Sequence, residues 1–175
     1  AMIAAVQQAG VKFMVGHVIR FWPEYTVIKE ILDSGRYGRV RWASASRLSP
    51  PPTWSWREWI FDQNLSGGAA LDLHIHDLDF LAWILGTPNT TGHAGGAVGF
   101  AEGSLDLTAG FPFTMGLRIA LEGAAIEFNS RLTPSVLVAL PDGSVEHPEV
   151  PAVQVPATAG AGSAGNISAL GGYFI

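Results

Sequence analysis

Residues 66–86, SGGAALDLHIHDLDFLAWILG, decide how this chain is read. Gly67 and Gly68 open the run, and Gly86 ahead of Pro88 closes it as a helix stop. Between them Leu71, Ile75, Leu78, Ala82 and Leu85 recur at three- and four-residue steps, the apolar stripe of an amphipathic helix. On that helix Asp72, His76 and Asp79 fall at i, i+4 and i+7 and share a second stripe. A carboxylate one turn before an imidazole can orient it and raise its pKa, which a general base near neutral pH requires. The same residues equally describe an ordinary capped, half-exposed helix without chemistry.

The sequence on either side gives the setting. Residues 1–10 have a helical pattern with Met2, Ile3 and Val6 on one side, and residues 11–19, VKFMVGHVI, suit a buried strand. Pro23 then opens a helix that Gly35 ends, with Tyr25, Ile28, Ile31 and Leu32 as its buried side. Glu24, Lys29, Glu30 and Asp33 read as its solvated face. Residues 39–48 alternate as a strand, with Val40, Trp42, Ser44, Ser46 and Leu48 opposite Arg41, Ala43, Ala45 and Arg47. Residues 49–64, SPPPTWSWREWIFDQN, are a loop broken by prolines and dense in aromatics. Its Trp54, Trp56, Trp59 and Phe61 read first as lids packed on the surface and second as a wall on which a sugar stacks. Residues 104–111 suit a strand and turn, residues 114–121 and 124–131 a hairpin, and residues 135–150 a second hairpin turning at Asp142-Gly143.

These residues resemble the glucose-fructose oxidoreductase, inositol dehydrogenase and MocA (Gfo/Idh/MocA) family. Its pattern is a glycine run, Asp-x-Gly-x-His-x-x-Asp and an apolar helix ending Trp-Leu-x-Gly-x-Pro. Asp72, His76, Asp79, Trp83, Gly86 and Pro88 match it, and His74 stands where the family has Gly. Ala4, Ala5, Ala9, Gly10, Val11, Val15, Gly16, Arg20, Phe21 and Pro23 match its upstream passage. The resemblance implies an NAD(P)-dependent dehydrogenase of a sugar, polyol or related alcohol, seen as its substrate domain. It implies His76 as proton-transfer base with Asp72 assisting. Arg47 and His17 join Asp72 and His76 as candidate substrate contacts. It also implies residues 1–19 as the last helix and strand of a dinucleotide-binding Rossmann domain. Residues 20–175 are then a substrate and oligomerisation domain, incomplete at its C-terminal end. NAD or NADP would be bound mainly by the preceding domain, so no cofactor-binding residue is assigned here. The family's upstream Glu-Lys-Pro, with its proton-transfer lysine, lies outside this sequence.

A different resemblance is carried by His74-Ile75-His76. On a strand, His-x-His presents both imidazoles on one face, as in the metal-binding strand of amidohydrolases. On a helix the two lie about 200° apart, so a metal hydrolase is the weaker alternative and no metal ligand is assigned. The remaining rival is a binding or assembly module of the same fold without redox chemistry.

Composition sets the outer bounds. The 175 residues can bury a real core. A net charge of −5 leaves no basic footprint for nucleic acid. No apolar run reaches the roughly 18 residues of a membrane span, and the first residues lack the basic lead of a signal peptide. The chain has no cysteine, which removes thiol nucleophiles and disulfides. A cytoplasmic setting is the default expectation. Residues 160–165, GAGSAG, fit G-x-G-x-x-G, but Pro156 precedes them and no acidic residue follows, so a flexible loop is expected. Helices followed by strands, without regular alternation, predict an α+β fold with an open, mainly antiparallel sheet and helices on one face. The resemblance adds that the open sheet face serves homo-oligomer contacts.

Overall fold

The computed structural model describes residues 1–86 and 96–152. The GAGSAG run, Pro88, His93 and the C-terminal residues lie outside them. The architecture is the expected α+β one. Among the described residues a six-stranded sheet runs β2-β1-β3-β4-β5-β6, where β1 is Val40–Leu48, β2 Val98–Ser104 and β3 Thr114–Leu121. The others are β4 Ala125–Asn129, β5 Val136–Ala139 and β6 Val145–Glu146. All neighbours pair antiparallel except β1 and β2, which run parallel. The strand expected at 104–111 lies earlier, at β2. A glycine-poor, alternating pattern marks most strands, but Gly99 and Gly103 dilute it in this one.

Side-chain alternation sorts the sheet into two faces. Ala43, Ala45 and Arg47 of β1 share the inner face with Met115, Leu117 and Ile119 of β3. Two helices cover it: α2 (Pro23–Asp33) and α5 (Ile75–Leu85). Tyr25 is the hinge of this packing. Its ring meets Phe80 of α5 edge-on at 4.8 Å and Phe128 of β4 at 5.3 Å, geometry that the aromatic quadrupole favours. The outer face is open. Trp42 lies 5.5 Å from Phe100 there, and Phe100 is 54% exposed.

Helix α2 starts on Pro23 as expected and buries Tyr25 and Ile28. Glu24, expected on the solvated face, is instead buried, with Oε2 lacking a partner among the described residues. Lys29 and Asp33 form an i,i+4 ion pair on the outer side. Helix α1 (Met2–Ala9) ends on Gly10 in the left-handed region, φ 64°, and buries nothing. The strand expected at 11–19 is not formed. Residues 11–17 have no strand beside them, and Val18–Phe21 make a 3-10 turn.

The long helix expected after the glycines is divided in two, α4 (Gly68–Asp72) and α5, and a short α3 (Gln63–Ser66) precedes the glycines. Gly67 and Gly68 sit at φ 73° and 68°, a region open to glycine and costly for other residues. A Cβ on Gly67 would also meet Leu71 Cδ1 at 2.4 Å. At the α4–α5 junction the His74 N–H reaches back to Ala69, five residues away, at 2.8 Å. That wide turn resembles the single-turn bulges common at functional sites. The buried stripe is Leu73, Asp77, Phe80, Leu81 and Leu85 rather than the expected one, and Leu71 and Leu78 are 64% and 46% exposed. The cause is Asp77: a carboxylate occupies a buried position, so the apolar pattern pointed to the wrong face.

Candidate active site

A cleft of about 670 Å³ lies where β1, the wide turn of α4–α5 and the proline-rich loop meet. The α4–α5 junction brings Asp72 and His76 to its wall together, and Arg47 at the end of β1 closes its inner side. Trp54 and Trp59 enter from the loop, and Trp22 and Phe113 from the neighbouring segments. The cleft is within the size range of small-molecule sites and shares their mostly apolar lining.

Arg47, a candidate substrate contact, lies on the cleft lining but is nearly sealed, at 1% exposure. Its Nε donates to Asp77 Oδ2 at 2.8 Å and its Nη2 to Asp77 Oδ1 at 2.9 Å. Nη2 also reaches the Tyr25 hydroxyl at 3.3 Å, and Nη1 faces only the Met115 thioether, at 2.8 Å. This bidentate pair ties β1 to α5 directly behind the cleft. Asp77 and Tyr25 were not singled out from sequence. A usable signal existed: Arg47 shares a face with Ala43 and Ala45, and a buried arginine demands a buried carboxylate.

His76 is half-buried beside the pair. Its Nδ1 is sealed from solvent without a hydrogen-bond partner among the described residues, which leaves Nε2 as the nitrogen able to exchange a proton with the cleft. Burial pushes the imidazole pKa down, and the Arg47 guanidinium and His17 push the same way. Asp77 and Asp72 pull it up, but the net direction is down. Asp72 does raise His76 as expected, but desolvation and a nearby guanidinium outweigh it. No hydrogen bond joins Asp72 to His76. Burial raises the Asp72 carboxyl, with the His76 charge partly opposing. The imidazole is thus neutral near pH 7 and free to accept a proton.

Asp79 takes the structural role. Arg20 donates to both of its oxygens at 2.6 Å, and His17 Nδ1 lies 3.6 Å from Oδ1. Arg20 also stacks over Trp83 at 4.9 Å. His17 is therefore placed beside Asp79 and is not among the residues lining the cleft. His74 turns away from the cleft. Its Nδ1 lies 3.8 Å from Asp77 Oδ2, and its ring fills the space over Gly103 of β2. With His74 against the sheet and His76 on the cleft, His-x-His does not converge. Among the described residues no three His, Asp or Glu side chains gather as a metal site.

The sheet and its two helices define an α+β domain with a cleft at one end of β1. The model of the GFO/IDH/MocA C-terminal domain matches residues 25–119, more than half of the sequence. The chain belongs to the GFO/IDH/MocA family. It is 34% identical over 110 residues to the uncharacterized oxidoreductase YrbE of Bacillus subtilis, covering 59% of this chain and 30% of that protein. It is 32% identical over 88 residues to inositol 2-dehydrogenase of Rhizobium meliloti, covering 49% and 24%. Levoglucosan dehydrogenase in complex with NADH and levoglucosan shares the fold, with a TM-score of 0.62 at 20% identity over 77% of this chain and 44% of that one. The chain spans 20–32% of the length of the curated relatives it matches. No described helix is long and apolar enough to cross a membrane.

Proposed function

We infer that this chain is the substrate domain of an NAD(P)-dependent oxidoreductase acting on a sugar, polyol or related alcohol. The observation that carries the reading is His76: a neutral imidazole on an apolar cleft wall, beside a carboxylate, on a scaffold of this family. Alcohol oxidation needs such a base at neutral pH. His76 accepts the hydroxyl proton through Nε2 as the alcohol becomes a carbonyl. Asp72 stabilises the imidazolium that results and can hold a neighbouring hydroxyl. Arg47 and Asp77 fix the floor against which the reacting carbon rests.

A mostly apolar wall with one neutral base fits a site beside a nicotinamide. Its dinucleotide, NAD or NADP, would be held chiefly by a preceding domain. When bound, the nicotinamide supplies the hydride acceptor. Residues 1–19 are read as the last helix and connecting segment of that domain. Supporting this, Ile3, Phe13, Met14 and Val15 are each more than half exposed, an apolar surface that calls for cover. The open sheet face around Trp42 and Phe100 is read as the homo-oligomer contact on the same ground.

The test uses the complete polypeptide. Nicotinamide absorbance is followed with a panel of sugars and polyols in the parent and in His76→Ala. Loss of kcat by roughly 10²–10⁴-fold with cofactor binding retained supports His76 as the base. Equal turnover in the two proteins removes it from the mechanism. Absence of both turnover and cofactor binding in the parent favours a non-catalytic module.

A further inference from the structure

His74 has no task in the chemistry so far. It is the join between α4 and α5. Its N–H reaches back to Ala69 at 2.8 Å, and its carbonyl accepts from the Asp77 and Leu78 N–H groups at 3.1 and 3.0 Å. Both sides of the wide turn are thus tied to this one residue. Its ring clamps the join to the sheet, filling the space a Cβ on Gly103 would need, with Nδ1 2.8 Å from that point. Gly103 of β2 is the register partner of Arg47 on β1. The ring therefore lies over the strand beside Arg47, on the inner face of the sheet.

The orientation of the ring is specific. Nδ1 is sealed from solvent with no hydrogen-bond partner among the described residues. It faces Asp77 Oδ2 at 3.8 Å, beyond a hydrogen bond but within ion-pair range. The same Oδ2 accepts from Arg47 Nε at 2.8 Å. A nitrogen lone pair turned on a fully buried carboxylate would repel it, so Nδ1 carries a proton in this geometry. Asp77 then stands between two positive poles, the guanidinium from β1 and the imidazole N–H three residues earlier. The acid next along β2, Glu102, pairs in register with Ser46 and belongs to the outer face.

The charges of Asp77 and Arg47 act on His76 in opposite directions, alongside those of His17 and Asp72. A group that steadies Asp77 therefore acts on His76 through the pair. We propose that His74 is a positioning residue for proton transfer: its Nδ1–H holds the Asp77 carboxylate against Arg47, and the pair so fixed sets the field at His76. The part played in turnover rests on the oxidoreductase reading; the effect on His76 does not.

On the complete protein, long-range proton–nitrogen correlation NMR reads which nitrogen of His74 is protonated at neutral pH, and the same spectra titrate His76. A proton on His74 Nδ1 is expected. His74→Leu keeps bulk over Gly103 but removes the N–H, and His74→Phe does the same with a ring, should the Leu variant fail to fold. Either leaves the Asp77 charge less balanced, so the His76 pKa rises and kcat/KM on its acid limb falls about two- to threefold against the parent. His74→Asn offers an amide N–H in place of Nδ1–H and returns both most of the way, which a role in packing alone would not produce. His76 titrating in the Leu or Phe variant as in the parent overturns the proposal. So do equal shifts in the apolar and Asn variants, and so does a His74 protonated on Nε2 alone. The expected His76 shifts in a protein without turnover support the link from His74 to His76 and refute the oxidoreductase reading alone.

Discussion

Asp77→Asn tests the buried pair behind the cleft. The side chains of Arg47 and Asp77 are 2% and 0% exposed, and the two bonds between them are 2.8 and 2.9 Å. Removing one partner of such a pair leaves the other charge buried, at a cost of about 3–5 kcal/mol. Asparagine keeps the shape and one acceptor, and the Tyr25 hydroxyl remains at 3.3 Å, which places the loss near 3 kcal/mol. Against a typical stability of about 5–15 kcal/mol this is large. Urea unfolding followed by far-ultraviolet circular dichroism measures it. Arg47→Met combined with Asp77→Val removes both charges and is expected to regain at least about half of the loss. NMR titration of His76 adds a readout that fold stability does not move. The Asp77 charge raises the His76 pKa and the Arg47 charge lowers it, so Asp77→Asn shifts it further down and Arg47→Met shifts it up. A cost for Asp77→Asn under about 1 kcal/mol, or same-direction shifts in the two variants, would refute the reasoning.

The pH dependence of turnover follows from the His76 environment. Its pKa lies below the ordinary 6.5, so kcat/KM is expected to be flat above that pH and to fall as acid protonates the base; an acid limb centred above 6.5 in the complete enzyme contradicts this. Gly103 supplies a second check. A Cβ there would sit 2.8 Å from His74 Nδ1, so Gly103→Ala should cost about 1–3 kcal/mol in urea unfolding. Adding His74→Gly should return most of the loss, and no return would mean that the ring is not what fills that space.

The elements closest to local rules were readable from sequence. Pro23 and the Tyr25/Ile28 spacing specify α2, and Asp142-Gly143 specifies its turn, where the Ser144 N–H bonds Asp142 Oδ1 at 2.9 Å. Alternation located β1 and β3 nearly to the residue. What escaped was non-local. Asp77 sits in an apolar stripe because of Arg47, 30 residues away, and no window around the helix contains that information. The strand expected at 11–19 failed because apolar runs specify burial and not a partner. For the site, the presence of Asp72 and His76 on one wall was legible, but the direction of the His76 pKa was not. It depends on Arg47 and on burial, both set by the folded sheet.

Strand order has a consequence for synthesis. Both neighbours of β1, β2 and β3, are encoded after it, and the last of them ends at Leu121. At the usual pace of about 5–20 residues per second, β1 waits on the order of 4–15 s for its second ladder. Until β2 is made, up to Ser104, a β-prone segment is exposed with both edges open. Until Asp77 emerges, the unmatched charge of Arg47 disfavours edge-to-edge association of that strand.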